Sequence, residues 1–203
     1  MENKIILSGK ILFNGCKIKN NKKKYYATIF VQRLSGNVDR IPLMISEENY
    51  TPVREGSLVK IRGYISSSYT GTKKTKLELC VNVKNMKVLE QETHDTNRVI
   101  LQGLLKNYPK CRLTPNGTEI SDIFLLVSNS HRKSDFIPCI CWGECAKSVT
   151  SLKIDSEVKI SGRFQSREYI KRISDFESES RIAYEVSVKK IINVEERNEK
   201  SNN

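Results

Sequence analysis

Ser134-Asp-Phe-Ile-Pro-Cys-Ile-Cys-Trp-Gly143 is followed, after a short segment to Leu152, by Val158-Lys-Ile-Ser-Gly-Arg-Phe-Gln-Ser-Arg-Glu-Tyr169. Side chains on a strand alternate between its two faces. The first piece therefore sets Phe136, Pro138, Ile140 and Trp142 on one face and Ile137, Cys139 and Cys141 on the other. The second sets Val158, Ile160 and Gly162 against Lys159, Ser161 and Arg163. Both read as half-buried strands. Between them they carry aromatics (Phe136, Trp142, Tyr169) and cations (Lys159, Arg163, Arg167). Rings that stack on bases and charges that hold phosphates are what a sheet needs to grip a nucleic-acid single strand.

Working outward, strands are predicted over 3–13, 25–32, 40–45, 57–67 and 76–89, with Gly9 marking a bulge or bend in the first. A basic turn is expected at 20–24 and a hairpin tip at 69–75. Segment 46–52 leaves room for one helical turn, whereas 143–152 can form a short helix. The plan of the first half then returns. Asn97-Arg-Val-Ile-Leu-Gln-Gly103 matches Asn3-Lys-Ile-Ile-Leu-Ser-Gly9, Asp135-Phe-Ile-Pro138 matches Asp39-Arg-Ile-Pro42, and Val158-Lys-Ile-Ser-Gly162 matches Val59-Lys-Ile-Arg-Gly63. A period near 95 residues is a duplicated domain rather than a solenoid unit. The expected division is a first domain over 1–90, a polar linker over 91–96, a second domain over 97–195 and a frayed polar tail over 196–203.

The second half also resembles a known family. Asn97-Arg-Val-Ile-Leu-Gln-Gly103, Leu113-Thr-Pro-Asn-Gly117, Asp135-Phe-Ile-Pro-Cys139, Cys141-Trp-Gly143 and Gly162-Arg-Phe-Gln-Ser-Arg-Glu-Tyr169 stand in the order seen in bacterial single-stranded DNA-binding proteins. The resemblance spans roughly residues 97–195. It implies an OB-fold, a five-stranded, partly open Greek-key barrel that binds single strands across one face. The expected fold is therefore all-β, two tandem OB-fold barrels with a short helix in the second. The resemblance assigns base stacking to Phe136, Trp142 and Tyr169. Phe124, Leu126, Ile160 and Phe164 are expected to fill the barrel. That leaves Ile123, Leu125 and Val127 on the opposite face of their strand, in want of cover from the other barrel or another chain.

Composition sets wider bounds. The 203 residues hold 35 Lys+Arg against 23 Asp+Glu, a net charge of +12 with pI near 9.4, which favours polyanions, nucleic acid or an acidic membrane surface. Mean hydropathy is −0.47, and no apolar run approaches the ~18 residues of a membrane span. A cytoplasmic, nucleoid-associated protein with reduced cysteines is expected. Cys139, Cys141 and Cys145, with Cys111, His94 and His131, lack the paired knuckle spacing of a zinc site, so no metal and no cofactor are expected. No nucleophile stands beside a histidine and no Gly-rich phosphate loop is present, so no enzyme is expected.

Phosphate contacts are expected from Arg112, Arg132, Lys133, Arg163 and Arg167. The first half departs from the pattern: Arg40 stands at the counterpart of Phe136 and Ser46 at that of Trp142, with Tyr69 as a stand-in for Tyr169 and Tyr64 where Arg163 sits. Its charge is higher, 17 Lys/Arg against 7 Asp/Glu over 1–90 compared with 18 against 16 over 91–203, which makes Arg40, Lys73 and Lys74 candidate phosphate contacts. One half is thus read as stacking bases and the other as attracting phosphates. Proteins of this family usually end in an acidic tail with a terminal Pro-Phe, and the end Glu196-Arg-Asn-Glu-Lys-Ser-Asn-Asn203 has none, so tail-mediated protein partners are not expected. The leading expectation is a single-stranded DNA-binding protein, homo-oligomeric with a dimer as one option, that coats DNA in replication, repair or recombination. A primosome-like assembly protein and a single-stranded RNA binder are the alternatives.

Overall fold

The computed structural model describes residues 2–19, 21–70, 76–91, 96–128, 134–174 and 177–194. They form one hydrogen-bonded sheet of eleven strands that curls into two successive barrels. The first comprises β1 (Asn3–Lys19), β2 (Lys22–Gln32), β3 (Val38–Ser46), β4 (Leu58–Thr70) and β5 (Lys76–Val88). The second comprises β6 (Asn97–Leu105), β7 (Lys110–Leu113), β8 (Glu119–Ser128), β9 (Ser134–Trp142), β10 (Glu157–Arg172) and β11 (Ser178–Asn193). Pairing runs β2-β3-β5-β4-β1 in the first and β6-β10-β11-β9-β8-β7 in the second. Both rings close, the first along β1–β2 and the second through two residue pairs, Leu104 with Leu126 and Leu105 with Leu125. The expectation of partly open barrels is corrected accordingly.

Long strands explain why the first ring closes so fully. β1 pairs with β4 over Ile5–Lys10 and then with β2 over Lys10–Lys19. Lys22, Lys23 and Lys24 therefore lie on a strand rather than in the expected basic turn. In the second barrel the same path is broken at Pro109, which has no N–H to donate, so β6 and β7 are separate strands. Glycines occur where the strands crowd. A Cβ at Gly9 would stand 2.0 Å from the Phe30 carbonyl oxygen, and one at Gly103 would stand 2.5 Å from that of Leu126. Gly9 thus permits a close approach, and the irregularities fall instead at Phe13/Gly15 of the same strand, at Arg62/Gly63 and at Ser161/Gly162.

The repeated Asn3 and Asn97 acquire a reason. Asn3 Nδ2 donates to Ile65 O (2.8 Å) while its Oδ1 accepts from Ile65 N (3.0 Å). Asn97 clamps Phe164 in the same way, at 2.7 and 2.9 Å. A primary amide carries its donor and acceptor on separate atoms, so one side chain can answer both the N–H and the C=O of one backbone residue.

Ile137, Cys139 and Cys141 point into the second barrel with Val99, Leu101, Ile160 and Phe164, as alternation required. β8 is oriented the other way from expectation. Ile123, Leu125 and Val127 are buried, whereas Phe124 is 38% exposed and Leu126 is half-buried. Both faces of β8 are apolar, so periodicity marks two sets without saying which turns inward. The open ends are plugged differently. Helix α1 (Glu144–Val149) buries Ala146 and Val149 beneath the second barrel. The first has only a 3-10 turn at Glu47–Asn49, and a stack of Tyr25 on Tyr50 (centroids 3.7 Å apart, 8° between planes), edged by Phe13, packs against its core instead.

The two barrels are joined along an antiparallel β1–β6 pair centred on Ile5 opposite Val99. Two further contacts repeat with the halves exchanged. Asp39 Oδ1 accepts from Ser166 N (2.9 Å) and Asp135 Oδ1 from Ser67 N (2.8 Å). Arg40 N donates to Ser166 Oγ and Phe136 N to Ser67 Oγ, each at 2.9 Å. Asp39 and Asp135 are both buried, and Asp39 takes a two-pronged ion pair from Arg33. The repeated Asp-x-Ile-Pro motif is therefore the seam between the barrels.

Candidate nucleic-acid interface

Register across the second barrel builds its outer face row by row. Arg112 on β7 pairs with Ile120 on β8, which pairs with Trp142 on β9. The next row runs Asp122, Ile140, Ser187 and Arg163 across β8, β9, β11 and β10. Trp142 ends its strand because Gly143, at positive φ, turns the chain into α1, and the indole is left 39% exposed. Alternation along β10 puts Ile160 and Phe164 inside and Arg163 outside, while the irregularity at Ser161/Gly162 leaves Lys189 of β11 unpaired in the register. Around these residues lies a cleft of about 340 Å³, lined by Trp142, Arg112, Arg163, Arg167, Ile140 and Arg33 among others.

Four of the expected residues thus meet in one cleft: Trp142, Arg112, Arg163 and Arg167. Arg112 is held by Asp122 (2.9 Å), which raises its pKa, and Arg167 Nε lies 3.7 Å from Glu185. Arg163 has no acidic partner among the described residues. Arg33, which sequence reasoning passed over, crosses from the first barrel: its guanidinium also donates to Ser166 O (3.2 Å). No local signal marks it, since a seam between distant strands creates the contact.

Phe136 stands at the other end of β9, six residues from Trp142 and so roughly 20 Å along the strand. Between the two on the same face lie Pro138 and its β8 partner Phe124, an exposed ring that the sequence reading had placed inside. Tyr169 projects from the β10–β11 hairpin opposite Arg181, with the Arg167 guanidinium 5.8 Å from its ring centroid. Arg40 lies on the seam and pairs with Glu168 at 3.1 Å. Counted from the matched bulges, Tyr69 is equivalent to Glu168 and Thr70 to Tyr169. Tyr69 therefore alternates to the opposite side from Tyr169, and the expected stand-in is corrected. Lys73, Lys74, Arg132 and Lys133 lie outside the described residues, as do His94 and His131.

The cysteines fall into the core or onto separate strands. Burial pushes the Cys139 thiol far up, and a Cys145 contact followed by burial does the same to Cys141, while Cys145 is lowered by that contact. Among the described residues no three His, Cys, Asp or Glu side chains are grouped to hold a metal ion. No helix among them is long and apolar enough to cross a membrane.

Comparison with known proteins agrees with this geometry. The wild-type single-stranded DNA binding protein from Thermus aquaticus superposes with a TM-score of 0.76 at 18% identity, covering 95% of this chain and 92% of that one. A deletion mutant of the same protein gives 0.73 at 19% identity, covering 95% and 94%. These likenesses fix the fold, an all-β OB architecture. No curated protein sequence matches the chain. Residues 96–194 match the Single-strand binding protein family, the same half that carries the Trp142 cleft. The second barrel, over residues 96–194, is thus a Single-strand binding protein family domain.

Proposed function

We propose that the chain is a non-catalytic single-stranded DNA-binding protein made of two tandem OB domains, 1–90 and 97–195, joined through 91–96. It would coat single strands exposed in replication, repair or recombination. One observation carries the reading: an exposed indole, Trp142, beside Arg112, Arg163 and Arg167 in an open cleft of a barrel whose residues 96–194 match the family. Every base has a π-face, so a ring flanked by cations binds a single strand without asking for sequence. The Thermus aquaticus protein of the same fold is a single-stranded DNA binding protein by name.

The test uses the chain's own reporter, since Trp142 is the only tryptophan. Oligo(dT) should quench its emission, with an affinity that falls as salt rises. Unchanged emission at saturating oligo(dT), with no shift in the mobility of a labelled oligonucleotide, would sink the reading. Tighter binding to oligo(U) than to oligo(dT) would move the assignment to RNA, since the 2′-OH is what separates the two.

A further inference from the structure

The first barrel presents the equivalent face with different chemistry. Its row Lys17, Lys24, Ser46 stands where the second barrel has Arg112, Ile120, Trp142. The next row runs Tyr26, Met44, Asn82, Tyr64 where the second has Asp122, Ile140, Ser187, Arg163. The aromatic missing at Ser46 is thus replaced by two tyrosines that bracket the neighbouring row. Each ring is topped by a lysine: Lys17 Nζ lies 5.5 Å from the Tyr26 centroid and Lys84 Nζ 5.5 Å from that of Tyr64. A cleft of about 690 Å³ opens here, lined by Lys22, Lys24, Met44, Tyr64, Asn82 and Lys84, with Glu47 and Glu48 also on its wall.

We propose that this cleft, together with Tyr26 and Lys17 on the strand rows beside it, is a second single-strand site, in which Tyr26 and Tyr64 stack bases and Lys17, Lys22, Lys24 and Lys84 hold phosphates. It rests on the reading that the chain holds single strands, and extends it to a face outside the residues that match the family. Two observations favour a nucleic-acid strand over a protein segment. Residues 1–90 hold 17 Lys/Arg against 7 Asp/Glu, and the lysines converge on the cleft. The ring of strands is closed along β1–β2, so no free edge is offered there for a peptide to join as an added strand. Lysine, a compact and strongly hydrated charge, grips less specifically than the forked arginines of the other cleft. The first site therefore depends more on salt, and the second more on stacking.

The test compares oligo(dT) of about 10 nucleotides, within the ~4–16 that one barrel covers, with oligo(dT) of about 30. Binding is read both by Trp142 emission and by anisotropy of a labelled oligonucleotide. One variant joins Lys22→Gln, Lys24→Gln and Lys84→Gln, all exposed; a second joins Tyr26→Leu and Tyr64→Leu. Thermal melts confirm that each folds. Both should leave the short oligonucleotide's quenching of Trp142 unchanged and weaken the long one about tenfold or more, since stacking and phosphate contacts at one site are lost. The lysine variant should also flatten the slope of log K against log[salt] by roughly 2, at ~0.7 per phosphate. The proposal is overturned if the long oligonucleotide binds no tighter than the short one, or if both variants bind it like the parent. It is equally overturned if a poly(Glu) peptide binds the parent but not the lysine variant while the long oligonucleotide is unaffected, which would assign the cleft to an acidic protein. Failure of the short oligonucleotide to quench Trp142 counts against the Trp142 cleft instead, and leaves the long oligonucleotide's anisotropy to judge this site alone; no anisotropy change with either oligonucleotide sinks the general function.

Discussion

Two barrels with the same strand plan meet solvent with different surfaces. At matched register one reads Arg112-Ile120-Trp142 and the other Lys17-Lys24-Ser46. The same exchange occurs beneath them, where a helix closes one barrel and a tyrosine stack the other. What stays constant is what closure and joining require: Gly9 and Gly103 at the crowded crossing, Asn3 and Asn97 at the clamps, Asp39 and Asp135 at the seam. The lesson is that backbone geometry fixes one class of residue in both halves, while the outer face is free to change its chemistry.

The seam offers the largest expected effect. Asp39→Asn removes the charge that Arg33 answers, leaving that mostly buried guanidinium without its carboxylate. Breaking such a pair from one side costs about 3 kcal/mol or more. Urea unfolding should show that loss, and a midpoint equal to the parent's would mean the barrels do not depend on this contact.

Next comes the stacking contrast. Trp142→Ala should weaken oligo(dT) by ~1–3 kcal/mol while leaving the melt nearly unchanged, because the indole is exposed. The reciprocal change, Ser46→Trp, should add binding at the first barrel. If Trp142→Ala lowers the melting temperature and not the affinity, the ring is structural and the contrast between faces fails.

A finer comparison lies within the second cleft. Arg163 has no acidic partner among the described residues, whereas Arg112 is engaged by Asp122. Arg163→Gln should reduce the salt slope by ~0.7, and Arg112→Gln by less, since its charge is already partly answered. Equal slopes for the two variants would show that the Asp122 pair opens on binding.

The smallest effect is a pH dependence at the join. Glu2 accepts from Lys4 (2.7 Å) and from Lys159 of the second barrel (2.6 Å), and these contacts bring its pKa from 4.5 down to about 2. A depressed carboxylate contributes stability that is complete above the unfolded value and lost as pH falls through the folded one. The window is therefore about pH 4.5 to 2, and the worth of so shallow a pair is ~1 kcal/mol or less. Comparing the parent with Glu2→Gln by melts across that window should show the difference shrinking toward acid. A constant difference would place the effect elsewhere.

Much of this was legible in the chain itself. Alternation in Phe136-Ile-Pro-Cys-Ile-Cys-Trp142 determined which residues share a face, because a strand's period is fixed by its backbone. The recurrence of Asn-x-x-Ile-Leu-x-Gly and Asp-x-Ile-Pro marked the residues that serve as clamps and seam, and the longer 143–152 segment determined where a helix fits. Tertiary structure decided the rest. β8 carries apolar residues at every position from Ile123 to Val127, so only closure of the ring could choose which set turns inward. Tyr69 looked equivalent to Tyr169 until pairing from the bulge onward counted it one residue out, and one residue reverses a strand face. Arg33 reaches the Trp142 cleft, and Tyr26 the face beside Met44, through pairings between segments far apart in sequence. Local periodicity carries no record of which distant strand a residue will lie beside; only the pairing of the whole sheet sets it.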